Sequence, residues 1–232
     1  MDMKLNQGDK VRLCMACEAG DMQIIKDLLD TAATDEFSRE DRIVFMVAAA
    51  SFGHLDIFQM LELVWKDHLD NWEHCHQILF AAFDSKSEDM VLYIINRVED
   101  GPWAYWETVL TNAINARMNM VILHAAPKIK SYNDEGRLYA CGLLMAIRLD
   151  YDDVVKTIIS CGACVNQKDG DFRYPIHHAA TRSVKVMKAL LDKGAWPDMR
   201  TRDRKTTLDI AIDCKNVDMV AFLKSLDRSS SF

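Results

Sequence analysis

The chain has 232 residues, half of them hydrophobic, so it is long enough and apolar enough to bury a sizeable core instead of remaining disordered. It contains only 9 Gly and 4 Pro, too few for the frequent turns of an all-β sandwich or barrel, and this favours many helices. The net charge of −7 argues against the clearly basic domain that sequence-independent nucleic-acid binding requires.

No segment of the sequence is typical of a membrane span or a secretory signal. The longest unbroken apolar run, residues 43–50, is 8 residues long, whereas a spanning helix needs about 20. The amino-terminal stretch MDMKLNQGDK lacks the apolar centre of a signal peptide. Seven cysteines, an odd number, are scattered along the chain, which favours a reducing compartment. We therefore expect a cytoplasmic protein, with a nuclear location also open, that binds neither membranes nor nucleic acid.

Charge is distributed unevenly along the chain. Residues 1–100 carry 20 acidic and 9 basic side chains, a balance of −11, while residues 101–232 carry 15 acidic and 19 basic side chains, a balance of +4. A polarity of this size orients a charged protein partner and speeds their encounter.

One pattern recurs seven times with a period close to 33 residues. Each copy has a large apolar residue, then Ala three or four positions later, then a short polar turn and two apolar pairs. In chain order the copies contain LCMACEAG, MVAAASFG, LFAAFDSK, VLTNAINA, GLLMAIRL, YPIHHAA and TTLDIAI. Their first apolar residues, the anchors, are Leu13, Met46, Leu79, Val109, Leu143, Ile176 and Leu208.

Each copy predicts two short helices joined by a turn. In the first helix a small residue lets neighbouring copies approach closely, and in the second the apolar pairs, such as Ile24/Ile25 with Leu28/Leu29, share one face. A single copy cannot bury that face alone, but stacked copies can. We therefore predict an all-α solenoid, a single domain over residues 1–232 with about seven units and a short Ser-rich tail at 227–232. The small residues are Ala16, Ala49, Ala82, Ala113, Ala146, Ala179 and Ala211.

The last three copies resemble a known family. YPIHHAA at 174–180 resembles the T-P-L-H-x-A-A motif of ankyrin repeats, and VVKTIISCGACVNQKDGD at 154–171 is similar to the family's V-V-x-L-L-L-x-x-G-A-D-V-N-x-x-D-x-x-G. ALLDKGAWPDMRTRD at 189–203 resembles the same passage one repeat on. The earlier copies lack the T-P pair, and the Gly between the two helices is kept only at Gly20 and Gly53. Other copies have Lys86, Ala116, Asp150 and Lys215 there, and the sixth is one residue short near Arg182 and Ser183.

The resemblance implies a non-catalytic module for protein–protein interaction, without cofactor or metal, and we expect it to be a monomer on its own. Ankyrin-repeat proteins bind partners through a concave face and hairpin tips, so we expect an adaptor, an inhibitor or an assembly chaperone. When the copies are aligned with the family's repeat, the residues at those positions change along the chain from acidic through aromatic to basic. They include Glu40, Asp41, Phe52, Glu73, His76, Asp84, Trp103, Trp106, Arg137, Arg148, Arg173, Arg182, Arg202 and Lys205.

Two groups among these candidates are the sharpest. Trp103 and Trp106 are of the type that dominates binding energy at interfaces, although either could instead be packed as core. A basic set alternates along one hairpin arm, where several members share one face and could hold an acidic segment or a phosphate. A solvated hairpin is the alternative. The set comprises Arg200, Arg202, Arg204 and Lys205.

Two C-x-x-C pairs, Cys14/Cys17 and Cys161/Cys164, carry the alternative function of a redox or metal-binding protein. Cys17 falls on a small-residue position of a first helix, where a buried Cys behaves as a small hydrophobe. Cys161 follows the end of a second helix, where the helix dipole disfavours a thiolate by about 0.3–1 kcal/mol. We therefore favour structural roles for both pairs. A targeting subunit of a larger enzyme assembly is a further alternative.

Catalytic motifs are missing from the sequence, so we do not expect an enzyme. It contains no Gly-rich phosphate loop, no H-E-x-x-H and no G-x-S-x-G. The run His74-Cys75-His76 has no second ligand pair at zinc-site spacing. His177 is at the family's His position, where the resemblance implies that the ring braces the hairpin, and Asn166 is expected to stabilise a turn.

Overall fold

The computed structural model describes residues 7–31, 37–65, 72–98, 103–130 and 140–229. In these ranges all regular elements are α-helices and there is no β-strand, which confirms the all-α prediction. The chain divides into two compact units, Met1–Gly101 and Pro102–Phe232. Because stacked repeats contact mainly their neighbours, such a division also occurs within one repeat array, and the single domain stays a prediction.

The described part of the first unit consists of three helix pairs. Each odd-numbered helix packs on the even-numbered helix that follows it, and α3 packs between α1 and α5. Ser38 begins α3 with a reciprocal cap, since its hydroxyl accepts from the Asp41 N–H and its own N–H donates to the Asp41 carboxylate. The helices are α1 (Gln7–Ala19), α2 (Met22–Thr31), α3 (Arg39–Ser51), α4 (Leu55–Trp65), α5 (Trp72–Asp84) and α6 (Glu88–Ile95).

The second unit repeats this arrangement in four pairs. The first helices stack in the order α7, α9, α11, α13, and the second helices in the order α8, α10, α12, α14. Within the predicted Ser-rich tail at 227–232, helix α14 continues to Ser229, and residues 230–232 lie outside the described residues. The helices are α7 (Trp103–Ala116), α8 (Asn119–Lys130), α9 (Ala140–Arg148), α10 (Asp152–Ser160), α11 (Pro175–Ala179), α12 (Val184–Asp192), α13 (Thr207–Asp213) and α14 (Val217–Ser229).

The core of each unit is made of the residues that define the sequence period. The anchors from Leu13 to Ile176 are at most 4% exposed, while Leu208 in the last copy is half-buried. The seven predicted Ala residues are at most 3% exposed, which confirms their role in close helix approach. Burying one such Leu or Ile side chain contributes about 1.5–3 kcal/mol, so the anchors hold each first helix in place.

Most helix pairs are joined through one residue with a left-handed backbone. Gly20 and Gly53 have φ values of 78° and 76°, as their positions in the pattern predict. In the fourth copy the prediction of Ala116 is wrong by one residue, because α7 extends through Ala116 and Arg117 takes the positive φ of 59°. The sixth copy has no such residue within 180–183, in agreement with its predicted missing residue. Lys86, Asp150 and Lys215 fill the position elsewhere.

Candidate functional site

Two successive hairpin loops follow the second helices α10 and α12, and they contain Arg173 and the predicted basic set Arg200, Arg202, Arg204 and Lys205. At the first tip the Asp169 N–H donates to the Arg173 carbonyl at 2.9 Å, and at the second the Thr201 N–H donates to the Lys205 carbonyl at 3.0 Å. Within each tip one non-Gly residue has a left-handed backbone, Phe172 with φ 60° and Arg204 with φ 61°. The two tips therefore have equivalent turns.

The side chain of Asn166 links these two loops. Its Nδ2 donates to the carbonyl of Gly194 at 2.9 Å, and its Oδ1 accepts from the N–H of Trp196 at 3.0 Å. The predicted structural role of Asn166 is confirmed, and it extends to the following loop. The amide thus fixes the spacing between the two hairpins.

His177 braces the same region from within the core, as predicted. It is buried, its Nδ1 accepts from the Tyr174 N–H at 3.1 Å, and its Nε2 donates to the Met199 carbonyl at 2.9 Å. This pair of bonds requires the neutral tautomer with the proton on Nε2. Burial lowers the pKa of His177, and the nearby positive charge of Arg173 adds to the effect. The ring therefore serves as a fixed structural group at neutral pH.

Asp169 holds the first tip together, a role that the sequence analysis did not assign. Its Oδ1 accepts from the N–H groups of Asp171 and Arg173, both at 2.9 Å, and its Oδ2 lies 2.8 Å from Nε2 of His178. Burial raises the pKa of Asp169, but these hydrogen bonds outweigh it and leave the pKa below its ordinary value. The position of Asp at the root of a Gly-containing turn was the available sequence signal.

The predicted basic residues differ in whether their charged groups already bind other groups of the same chain. Lys205 Nζ lies 2.6 Å from Oδ2 of Asp213, and this bond raises the pKa of Lys205. Nη1 of Arg200 donates to the Arg204 carbonyl at 2.9 Å, which orients the guanidinium. Arg173 and Arg202 are exposed at the two tips. The structure thus brings the basic residues of both hairpins into one region, with Lys205 already paired.

The acidic candidates of the first unit lie at helix ends. Glu40 and Asp84 are exposed, whereas Asp41 caps α3 and forms an ion pair with Lys10. Burial raises the pKa of Asp41, but the bonds from Lys10 and Ser38 outweigh it and lower the pKa overall. Asp41 is consequently engaged in the fold, and a partner would find Glu40 and Asp84 more accessible.

Two aromatic candidates of this unit are accessible. Phe52, which follows α3, is 59% exposed, and the ring of His76 is stacked on that of Phe80 at 4.7 Å between centroids. An exposed apolar row on the first helices of the unit was not predicted, although the 33-residue spacing of Val11 and Val44 was a usable signal. The row consists of Val11 and Met15 on α1, Val44 on α3 and Phe80 on α5.

The prediction of Trp106 as a partner-contacting residue is wrong for this conformation. Its side chain is 1% exposed and packs edge-on against Tyr105 at 5.1 Å between ring centroids. The reason is that α7 packs on both α8 and α9, so two sides of this helix are covered. Of the remaining candidates, Arg148 and Arg182 are exposed. The side chains of Glu73 and Trp103, and Arg137 as a whole, lie outside the described residues.

The surroundings of the Cys14/Cys17 pair disfavour a reactive thiolate. Cys17 is buried as predicted, and burial, with smaller contributions from Cys14 and Glu18, raises its pKa to about 12. Burial and Glu18 also raise the pKa of Cys14. Cys161 caps the carboxyl end of α10, as predicted, with its N–H donating to the Thr157 carbonyl. A reactive thiol has a lowered pKa in an electropositive setting, the opposite of what Cys14 and Cys17 have.

The described ranges also bear on metal binding and on membrane insertion. No cluster of three or more His, Cys, Asp or Glu side chains is arranged there to hold a metal ion. Nor does any helix in those ranges combine the length and apolar character that crossing a bilayer demands.

Comparison with known proteins agrees with this architecture. Residues 143–229 match the family model described as Ankyrin repeats (3 copies). A putative ankyrin repeat protein of Fowlpox virus (strain NVSL), FPV244, is 33% identical over 93 residues, which is 39% of this chain. The chain spans only 14% of the length of that viral protein.

Solved structures give the same fold. The human ASB11 ankyrin repeat domain superposes with a TM-score of 0.62 at 22% identity, covering 86% of this chain and 90% of that domain. The ankyrin repeat domain of Bcl-3, a member of the IkappaB protein family, gives a TM-score of 0.61 at 15% identity, covering 88% of this chain and 97% of that domain.

The fold is therefore that of an ankyrin-repeat domain, a helix–turn–helix solenoid. More particularly, this chain contains ankyrin repeats over residues 143–229, which include both hairpin loops described above. The family resemblance that the sequence indicated is thereby confirmed.

Proposed function

We propose that the chain is a non-catalytic adaptor that binds an acidic segment of a partner protein through its last two hairpin loops. The observation that carries this proposal is the exposure of Arg173 and Arg202 on tips whose backbone His177 and Asn166 already hold in place. Because the loops are ordered before the partner arrives, binding costs less conformational entropy. Exposed cations of this kind also speed encounter with an acidic partner.

The first unit offers a second contact surface of different chemistry. The exposed row of Val11, Met15, Val44 and Phe80 presents apolar side chains on neighbouring first helices. Large apolar side chains that are at least 43% exposed on packed neighbouring helices are available to a partner. We propose that this row binds an apolar segment of a partner protein. Cationic residues on either side of that segment would face Glu40 or Asp84. We also propose that the chain is cytoplasmic and a monomer on its own, as its cysteine content and charge support.

Comparative affinity capture tests the adaptor proposal. The full chain and two double variants are used as baits in the same lysate, and bound proteins are quantified by mass spectrometry. Arg173→Glu/Arg202→Glu reverses the hairpin charge, and Lys185→Glu/Lys188→Glu makes the same charge change on α12. Arg173 is chosen over Lys205 because Lys205 is already paired with Asp213.

We expect one or more acidic proteins to be retained by the wild-type chain and the α12 variant and lost with the hairpin variant. With a partner in hand, the hairpin variant should associate about tenfold more slowly at low salt, because steering depends on these charges. Capture of the same proteins by all three baits would contradict the proposal.

A further inference from the structure

A recess lies between the two hairpin tips, and it differs from the rest of the loop surface in its chemistry. Its volume is about 370 Å³, and it is lined by Lys168, Phe172, Tyr174, Arg200, Thr201 and Arg202. Small-ligand sites have volumes of about 300–1,000 Å³, so this one is large enough for one substantial side chain.

The lining carries three positive charges, from Lys168, Arg200 and Arg202, and none of the lining residues, all of them described, is a carboxylate. Asp203 of the same tip lines a separate recess with His178 and Lys205. Arg200 is oriented by its bond to the Arg204 carbonyl, and its remaining N–H groups can serve a ligand. Paired guanidinium groups match the oxygens of a phosphate, which accept hydrogen bonds from both.

The same recess presents aromatic surface at the left-handed position of its hairpin turn. Phe172 is 50% exposed there, at φ 60°. Arg204 has the same backbone at the equivalent position of the next tip, so the first tip differs in carrying an aromatic ring at this position. Nζ of Lys168 lies 4.5 Å from the centroid of the Phe172 ring, so cation and ring form one surface. Tyr174 is held by edge-on packing against His177, at 5.7 Å between centroids.

We infer that this recess binds a phosphorylated tyrosine side chain of a partner protein. The cations would bind the doubly charged phosphate, and the Phe172 and Tyr174 rings would contact the phenyl ring. This inference deepens the proposed function by naming what the hairpin loops recognise. It predicts that phosphorylation of the partner strengthens the complex.

The direct test is a titration of the full ¹⁵N-labelled chain with the peptide acetyl-Gly-Ala-phosphotyrosine-Ala-Gly-amide. Saturable shifts are expected for the amide signals of Phe172, Thr201 and Arg202. The unphosphorylated peptide, the phosphoserine peptide and inorganic phosphate should each bind at least about tenfold more weakly, since each lacks the phosphate or the ring. Equal binding of any of them would overturn the inference. A tighter complex with deoxythymidine oligonucleotide would also overturn it, in favour of a nucleic-acid site.

Two variants locate the binding within the recess. Arg200→Gln/Arg202→Gln should abolish the peptide-induced shifts, while Lys185→Gln/Lys188→Gln on α12 should leave them unchanged. Phe172→Gly should weaken peptide binding and at the same time raise the melting temperature, because Gly relieves the left-handed backbone. A purely structural role for Phe172 would not link these two effects, so unchanged peptide binding by this variant would overturn the aromatic contact.

Failure of this inference is distinguishable from failure of the adaptor proposal. If the adaptor proposal alone is correct, acidic proteins are still captured in a way that depends on Arg173 and Arg202, and phosphatase treatment of the lysate leaves their capture unchanged. If the recess binds phosphotyrosine, the same treatment should reduce the capture of at least one of them.

Discussion

Nε2 of His177 donates a hydrogen bond to the carbonyl of Met199 at 2.9 Å, so a core residue of one repeat fixes the backbone of the next hairpin. The same ring accepts the Tyr174 N–H at the start of its own helix. One buried side chain therefore connects the core of the array to the surface that we propose as the contact site.

Replacing His177 with Ala should destabilise the second unit by about 2–3 kcal/mol, because two backbone groups lose their partner in a buried setting. Urea denaturation followed by circular dichroism measures this change. The exposed Lys185→Ala serves as the control and should cost no more than about 0.5 kcal/mol. A His177→Ala variant as stable as the control would show that water replaces both bonds.

Stability should decrease as the pH falls below about 6.5, the ordinary pKa of a histidine. Burial lowers the pKa of His177 in the folded chain, so below pH 6.5 the unfolded state takes up a proton that the folded state does not. The unfolded state then binds more protons, and the free energy of unfolding falls until the pH reaches the lowered pKa. Above pH 6.5 this effect disappears.

Urea midpoints of the wild type and of His177→Gln, measured between pH 5 and 8, give the contribution of this one group. The variant cannot titrate at that position, so its stability should fall less steeply with decreasing pH. Identical slopes for the two proteins would assign the pH dependence to other groups, among them His124, whose pKa burial also lowers.

Cys17 should react with iodoacetamide far more slowly than Cys214. Cys17 is fully buried with a pKa of about 12, so at pH 7.5 it is almost entirely the unreactive thiol. Cys214 is exposed. Mass spectrometry of alkylated peptides over time measures both rates in one sample. Comparable rates in the folded chain would revive the redox interpretation of the Cys14/Cys17 pair.

Gly20→Ala should be much more costly than Gly194→Ala, although both glycines have a left-handed backbone. A Cβ on Gly20 would lie 2.7 Å from Cε1 of His54, whereas a Cβ on Gly194 would meet nothing within 4 Å. The free energy of unfolding of the Gly194 variant should therefore fall by only about 1–2 kcal/mol, the cost of a left-handed backbone for a residue with a Cβ. Adding His54→Ala to the Gly20 variant removes the clash and should recover part of the stability. Denaturant titrations compare all three variants, and no recovery would refute the steric cause.

Much of the fold could be predicted from the sequence, because the period of the apolar residues shows which positions are buried. Ala at one position of each repeat is needed wherever two first helices touch, and all seven are buried. The error at Ala116 has a simple cause, since a helix can extend by one residue without any change in the apolar pattern. The ends of helices depend on the backbone conformation of single residues, which a pattern averaged over the repeats does not show.

The candidate site was less predictable, because a periodic pattern shows which face of a helix is apolar but not which helices pack against it. Trp106 is covered since α7 has packed helices on two sides. The pairing of Lys205 with Asp213 arises where a hairpin arm returns beside the end of α13, eight residues later. The left-handed backbone of Phe172 could have been predicted from the sequence, because this residue stands where the family motif has Gly.

The hydrogen bonds of Asn166 and His177 also give the repeat array a direction. Both side chains reach forward, to Gly194, Trp196 and Met199 of the following loop. A fragment that ended before residue 194 would leave the Asn166 amide without its two backbone partners and Nε2 of His177 without its acceptor. Anyone dividing this chain into shorter pieces should therefore keep residues 161–229 together.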